Sequence, residues 1–180
     1  YYTAAAVSSP SRAAITTGIF PLELGMNTFL HTRKHNDDCE QNDYLDPAFP
    51  SMARAFQAAG YRTAHIGKWH MGGGRDVDDA PQITCYGFDE YLTTYEGPDP
   101  DPAIPATDWK WSPKDSVKRW QRTEYFVDKS LEFMARNRAR AFFLNLWPDD
   151  MPTPYVPNSP GHQEANTWHM PRTPQAGVDH

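Results

Sequence analysis

The stretch Ala141-Phe142-Phe143-Leu144-Asn145-Leu146-Trp147 is a nearly continuous apolar run of strand length, closed by Pro148. A strand with one wet face alternates apolar and polar residues, so a run without alternation belongs to a strand covered on both faces. That requirement points to a sheet with helices packed on each side. The preceding segment supplies one such helix. From about Thr123 to Asn137, the residues Phe126, Val127, Leu131, Phe133 and Met134 recur as one broad apolar stripe. Thr123 is placed to cap its start, and Arg136 and Arg138 lie near its carboxyl end, where the helix dipole favours cations.

The same succession occurs earlier in the chain. Ser51 to Ala59 predicts a helix with Met52, Ala55, Phe56 and Ala59 on one face and Gly60 as its stop. A strand is expected over Tyr61 to Ile66, and another short one within Tyr86 to Tyr95. Near the start, Ser9 reads as a cap, Pro10 opens a helix and Gly18 ends it. Residues 19–50, the stretch Gly97 to Pro113 and the tail from Asp149 read mostly as loop, in keeping with 17 prolines. Helix, strand and loop in repeated order predict a layered α/β domain. In such sheets chemistry collects where loops leave the carboxyl ends of strands, as Lys68-Trp69-His70 and Asp149-Asp150 do.

With 39% hydrophobic and 13% aromatic residues the chain is globular, and a net charge of −6 argues against a nucleic-acid or anionic-membrane partner. Cys39 and Cys85 form no CxxC or Cys/His ligand pattern, so neither a zinc site nor a disulfide framework is indicated. No apolar run approaches the ~18 residues that a membrane-spanning helix needs.

The chemistry concentrates in two short segments. The first is Ser8-Ser9-Pro10-Ser11-Arg12, followed by Thr17-Gly18. Ser8 lies just before a predicted helix start, where unpaired N–H groups and the helix dipole favour an anion. Arg12, one turn on, can reach back with a permanent positive charge. The second is Gly67-Lys68-Trp69-His70-Met71-Gly72, with a compact cation and a group that titrates near neutrality. Taken alone, each has a plain alternative: a serine-rich cap with a solvated arginine, or a glycine turn with a surface lysine.

Together the two segments resemble the signature motifs of the sulfatase family. Ser8, Pro10, Ser11, Arg12, Thr17 and Gly18 match the first motif, and 67–72 match the family's Gly-Lys-Trp-His-Leu-Gly. A match of the first kind arises by chance on the order of once in ten million starting points. The resemblance implies an alkaline-phosphatase-like α/β layered sheet with helices on both faces. It further implies that Ser8 is converted to formylglycine, whose hydrate attacks the sulfur of a sulfate ester. Arg12 would hold the hydrate, Lys68 would bind sulfate, and His70 would bind substrate and take the second hydroxyl's proton. Calcium, or magnesium in its place, is the implied cofactor, with formylglycine at Ser8 as one ligand and the others outside this stretch. A sulfated sugar or other alcohol is the implied substrate, and a periplasmic or secreted location is implied as well. Serine at this position implies maturation by an oxygen-independent radical enzyme, hence a bacterial source.

The chain starts at Tyr1-Tyr2-Thr3-Ala4 and stops at Gly177-Val178-Asp179-His180, so residues 1–180 are expected to be an internal part of an N-terminal catalytic domain. With the family's carboxylate cage expected elsewhere, the fragment alone is expected to bind metal weakly and not to turn over. A further departure lies at Pro152, where the family usually has the histidine that protonates the leaving group; His162 and His169 are the candidate substitutes. Two competing readings follow: an inactive glycan-binding homologue, and a phosphate- or phosphonate-ester hydrolase of the same fold. Asp149-Asp150 is read as a solvated acidic turn before a metal ligand pair, Asp37-Asp38 and Asp78-Asp79 as surface turns, and Trp109, Trp111 and Trp120 as packing before a sugar-stacking wall.

Overall fold

The computed structural model describes residues 2–104, 116–118 and 121–149. Three strands, β1 (Arg62–Gly67), β2 (Glu90–Thr93) and β3 (Phe142–Trp147), form a parallel sheet in the order β2-β1-β3. Four α-helices accompany them among the described residues: α1 (Ser8–Thr17), α2 (Arg33–Asp38), α3 (Met52–Ala58) and α4 (Arg122–Arg136). The unbroken apolar run of β3 is explained by its two neighbours. Phe143 and Trp147 pack into a cluster with Ala13 of α1 and Ala53 of α3, while Leu144 and Leu146 pack against Phe126 of α4. Helices therefore cover both faces of the sheet, as the apolar run required. Fully burying a side chain such as Phe126, which is 0% exposed, contributes about 1.5–3 kcal/mol.

Several local expectations need correction. Ser9 does not cap α1; the helix begins at Ser8, and the buried Ser9 hydroxyl instead accepts the Leu30 N–H at 2.9 Å. Residues 19–50 are less irregular than their polarity suggests, because they contain α2 and a short 3-10 turn over Pro21–Leu24. Asp37 and Asp38 accordingly lie in a helix, where Asp38 pairs with Lys34 at 2.6 Å. In α3 the buried residue is Ala53, while Met52 is exposed. Three of the four supposed face residues carry too little area, or too much exposure, to orient seven residues. The orientation comes from Phe56, stacked on Phe143 at 4.5 Å, and from the Ser51 cap, which accepts the Ala53 N–H. Thr123 is inside α4, whose N-cap is Gln121. The buried face of α4 is Arg122, Phe126, Ser130 and Phe133, while Val127, Leu131 and Met134 are exposed. Cys39 and Cys85 are both free. Among the described residues, no helix is long and apolar enough to cross a membrane.

Candidate active site

The loops that follow β1 and β2 leave the sheet side by side, because the strands are parallel with Gly67 opposite Thr93. Gly67 has φ 114, and a Cβ there would lie 2.6 Å from the Trp147 carbonyl carbon, so only glycine fits. This close approach lets Lys68 donate its N–H to the Trp147 carbonyl at 2.8 Å and turns residues 68–70 across the sheet end. His70 then adopts φ 53, a left-handed conformation that costs a non-glycine residue free energy. Its N–H is held by the Glu96 carbonyl at 2.9 Å, and the buried Trp69 and Met71 anchor the turn on either side.

Helix α1 points its amino end at this turn. Val7 provides no side-chain cap, so the first N–H groups are left to the site. Ser11 is spent on the approaching chain: its hydroxyl donates to the Ala5 carbonyl at 2.7 Å and accepts the Ala5 N–H at 3.2 Å. Ser8 Oγ lies 2.6 Å from His70 Nδ1, and His70 Nε2 lies 3.0 Å from the Leu30 carbonyl. A carbonyl can only accept, so Nε2 carries the proton and Nδ1 is the acceptor for the Ser8 hydroxyl. Burial lowers the imidazole to about 4, which keeps it neutral and able to accept near neutral pH.

Arg12 donates from Nη1 to the Lys68 carbonyl at 2.7 Å, and its guanidinium sits 4.9 Å over the Trp147 ring. Burial lowers it to about 10, partly offset by Glu96 and Asp149, so it stays charged. Lys68 is 9% exposed, not a surface residue, and its Nζ pairs with Glu96 Oε2 at 2.7 Å. A cavity of about 670 Å³ opens beside Ser8, Arg12, Trp147 and Pro148. The four residues singled out in the sequence are thus neighbours, Ser8 bonded to His70 and Arg12 to the Lys68 backbone, with Ser8 and Arg12 on the cavity wall.

Two carboxylates in the site were missed. Glu96 reaches Lys68, Arg75 at 3.3 Å and the His70 ring at 3.7 Å. Asp76 lies 3.9 Å from His70 Nε2 and is bound by Arg75 at 3.0 Å. Glu96 could have been found by extending the strand-end rule to the loop after β2, where it sits. Asp149 is buried and paired with Arg122 at 3.0 Å, so its carboxylate is not the solvated turn expected. Its neighbour Asp150 lies outside the described residues, as do Pro152, His162, His169, Trp109, Trp111 and Trp120. Asp78 and Asp79 form surface ion pairs with Arg33, at 3.7 and 2.5 Å.

The sulfatase family model matches residues 1–169. The chain belongs to the sulfatase family. Over 84 residues it is 39% identical to an ulvan-active sulfatase of Formosa agariphila, covering 46% of this chain and 14% of that protein. Over 167 residues it is 28% identical to the N-acetylgalactosamine-6-sulfatase of Canis lupus familiaris, covering 80% of this chain and 30% of that one. The chain thus spans less than a third of the length of these relatives. The sulfatase fold is matched by a solved Bacteroides thetaiotaomicron chain, described in connection with the metabolism of multiple glycosaminoglycans. That match has a TM-score of 0.65 at 20% identity and covers 87% of this chain and 44% of the other.

Burial in this sulfatase chain makes acid a specific threat. His65, 0% exposed, has Nδ1 3.2 Å from Asn145 Nδ2 and Nε2 3.3 Å from the Gly67 carbonyl, and burial lowers it from 6.5 to about 3. A histidine depressed in the folded state binds fewer protons than in the unfolded chain, so its stabilising share is complete above 6.5 and is lost as pH falls towards about 3. The thermal midpoint is expected to be flat near neutrality and to drop steadily below about pH 6. A midpoint unchanged down to about pH 4 would show that His65 is not buried in its neutral form.

Proposed function

We propose that this sulfatase chain contributes the nucleophile and anion-binding half of an active site that hydrolyses a sulfate ester. The observation that carries the reading is the short Ser8–His70 contact, with the imidazole tautomer set by Leu30, at the open end of α1, where Arg12 is bonded to the Lys68 carbonyl. Each group has a physical task. The α1 N–H groups and the two cations attract the ester's sulfate, and His70 Nδ1 accepts a proton from an oxygen on the Ser8 side chain.

The family implies that Ser8 is oxidised to formylglycine, which when hydrated offers one hydroxyl for attack on sulfur and a second whose proton loss releases sulfate. His70 is suited to take that second proton, being neutral and within hydrogen-bond reach of the oxygen on the Ser8 Cβ. Arg12 is suited to polarise the same oxygens. The family also implies calcium or magnesium. Among the described residues no group of three or more His, Cys, Asp or Glu is placed to hold such an ion. Glu96 and Asp76 are already engaged by Lys68 and Arg75. The described residues therefore do not fit the ion, and no step here runs through it. Under this reading the remaining ligands lie outside residues 1–180, the fragment alone is inactive, and the natural location is periplasmic or secreted. The substrate is a sulfated sugar or other sulfated alcohol.

The unmodified Ser8–His70 pair also suits direct attack on a phosphate ester, which is the competing reading. Two measurements separate them. The full-length protein is expected to hydrolyse an aryl sulfate in preference to an aryl phosphate, and residues 1–180 alone to hydrolyse neither. Mass spectrometry of the Ser8 peptide, from protein made with the maturation enzyme, is expected to show the loss of two hydrogens. An unmodified peptide in protein that is active chiefly on the phosphate would overturn the proposal in favour of its competitor.

A further inference from the structure

We propose that Glu96 is a positioning residue that sets the charge preference of the site, suiting it to a singly charged ester over a doubly charged one. The inference deepens the reading above and rests on it for the identity of the pocket. Its basis is the way Glu96 grips the motif turn twice. The backbone carbonyl fixes the strained His70, and the carboxylate fixes the ammonium of Lys68 at 2.7 Å. Gly97 makes this grip close, since a Cβ there would stand 2.9 Å from Trp69 Cβ. Glu96 is itself 4% exposed, so its charge acts in a medium of low polarity.

The charge balance follows from the described residues around the turn. Arg12, Lys68, Arg75 and Arg122 are the cations; Glu96, Asp76 and Asp149 are the carboxylates, each bound to one or more of them. With His70 neutral, Glu96 is one of the three carboxylates that hold down the positive charge these described groups offer an anion, which favours the single charge of a sulfate monoester. A phosphate monoester, with a second pKa of about 6, carries close to two negative charges near neutral pH. It would face the Glu96 carboxylate across Lys68. Taking away the Glu96 charge raises the positive balance by one and removes that repulsion, while amide substitution leaves an acceptor for the Lys68 ammonium.

The test compares Glu96→Gln with the parent in the full-length protein, by kcat/KM on an aryl sulfate and an aryl phosphate and by inhibition constants for methyl sulfate and methyl phosphate, which carry one and close to two negative charges. The ratio of sulfate to phosphate preference is expected to fall at least about tenfold in both kinetics and inhibition. The change should lie mainly in KM. Arg75→Gln, on a half-exposed side chain, removes a cation from the same carboxylate and is expected to move the ratio the opposite way. Equal losses on both anions in Glu96→Gln, with no change in Arg75→Gln, would overturn the inference and leave Glu96 a purely structural residue. Should Glu96→Gln not fold, the direction of the Arg75→Gln shift decides alone. Failure of the parent protein on aryl sulfate would count against the sulfatase reading. The inhibition ratio of the two methyl esters would still decide the role of Glu96.

Discussion

Ser8→Ala is expected to lower aryl sulfate turnover in the full-length protein by on the order of 10⁴-fold or more while leaving its unfolding midpoint nearly unchanged. The two halves of this expectation have separate causes. Ser8 is the first residue of a ten-residue helix and is only half-buried, and alanine is the better helix former. The hydrogen bond to His70 is lost, at about 0.5–1.5 kcal/mol, but His70 keeps its bonds through Nε2 and its backbone. Activity has no such reserve, because the attacking oxygen is carried on the Ser8 Cβ whether the side chain is oxidised or not. His70→Asn is the informative companion. Asparagine tolerates the left-handed conformation at φ 53 but cannot take up a proton, so kcat is expected to fall about 10²–10⁴-fold with a modest change in KM. Steady-state kinetics beside circular dichroism melts would check both. Turnover within about tenfold of the parent in Ser8→Ala would exclude position 8 as the source of the nucleophile.

What could be read in advance was whatever is encoded locally. The unbroken run of β3 demanded two covering layers, and Phe126 on one side with Ala53 on the other provide them. Gly18, at φ 75, ends α1 where a left-handed residue was expected. The motif spacing brought Ser8 and His70 into one hydrogen bond across 62 residues of sequence, with Arg12 bound to the Lys68 carbonyl beside them. Features set by tertiary contact were not legible. Ser9 has the chemistry of a cap, but Leu30 claims its hydroxyl. The seven residues of α3 include three alanines, so their pattern left the buried face undecided until Phe56 met Phe143. Polarity between His31 and Asp46 hid α2, whose Asn36 is buried and bonded to the His31 carbonyl and Asp43. Glu96 looks like any loop acid, and its role exists only because β2 ends beside β1.

Arg122 was the least expected of these, an arginine at 0% exposure inside the first turn of α4, and it supports the second large prediction. It pairs with Asp149, 2% exposed, at 3.0 Å, tying the amino end of α4 to the residue two past the end of β3. Two buried charges cost several kcal/mol each to desolvate, and their attraction offsets this only while both are present. Asp149→Ala is therefore expected to destabilise the chain by about 3–5 kcal/mol, read from urea denaturation midpoints, because it removes the carboxylate that faces a fully buried guanidinium. Replacing both residues with leucine removes the buried guanidinium as well, so the double variant is expected to be more stable than Asp149→Ala alone. A solvated acidic turn, as the sequence suggested, predicts a shift within about 0.5 kcal/mol for Asp149→Ala and no recovery in the double variant. The difference matters for the site. Asp149 contributes to the field at both Arg12 and Lys68, so a carboxylate fixed by Arg122 is a permanent part of the pocket's charge.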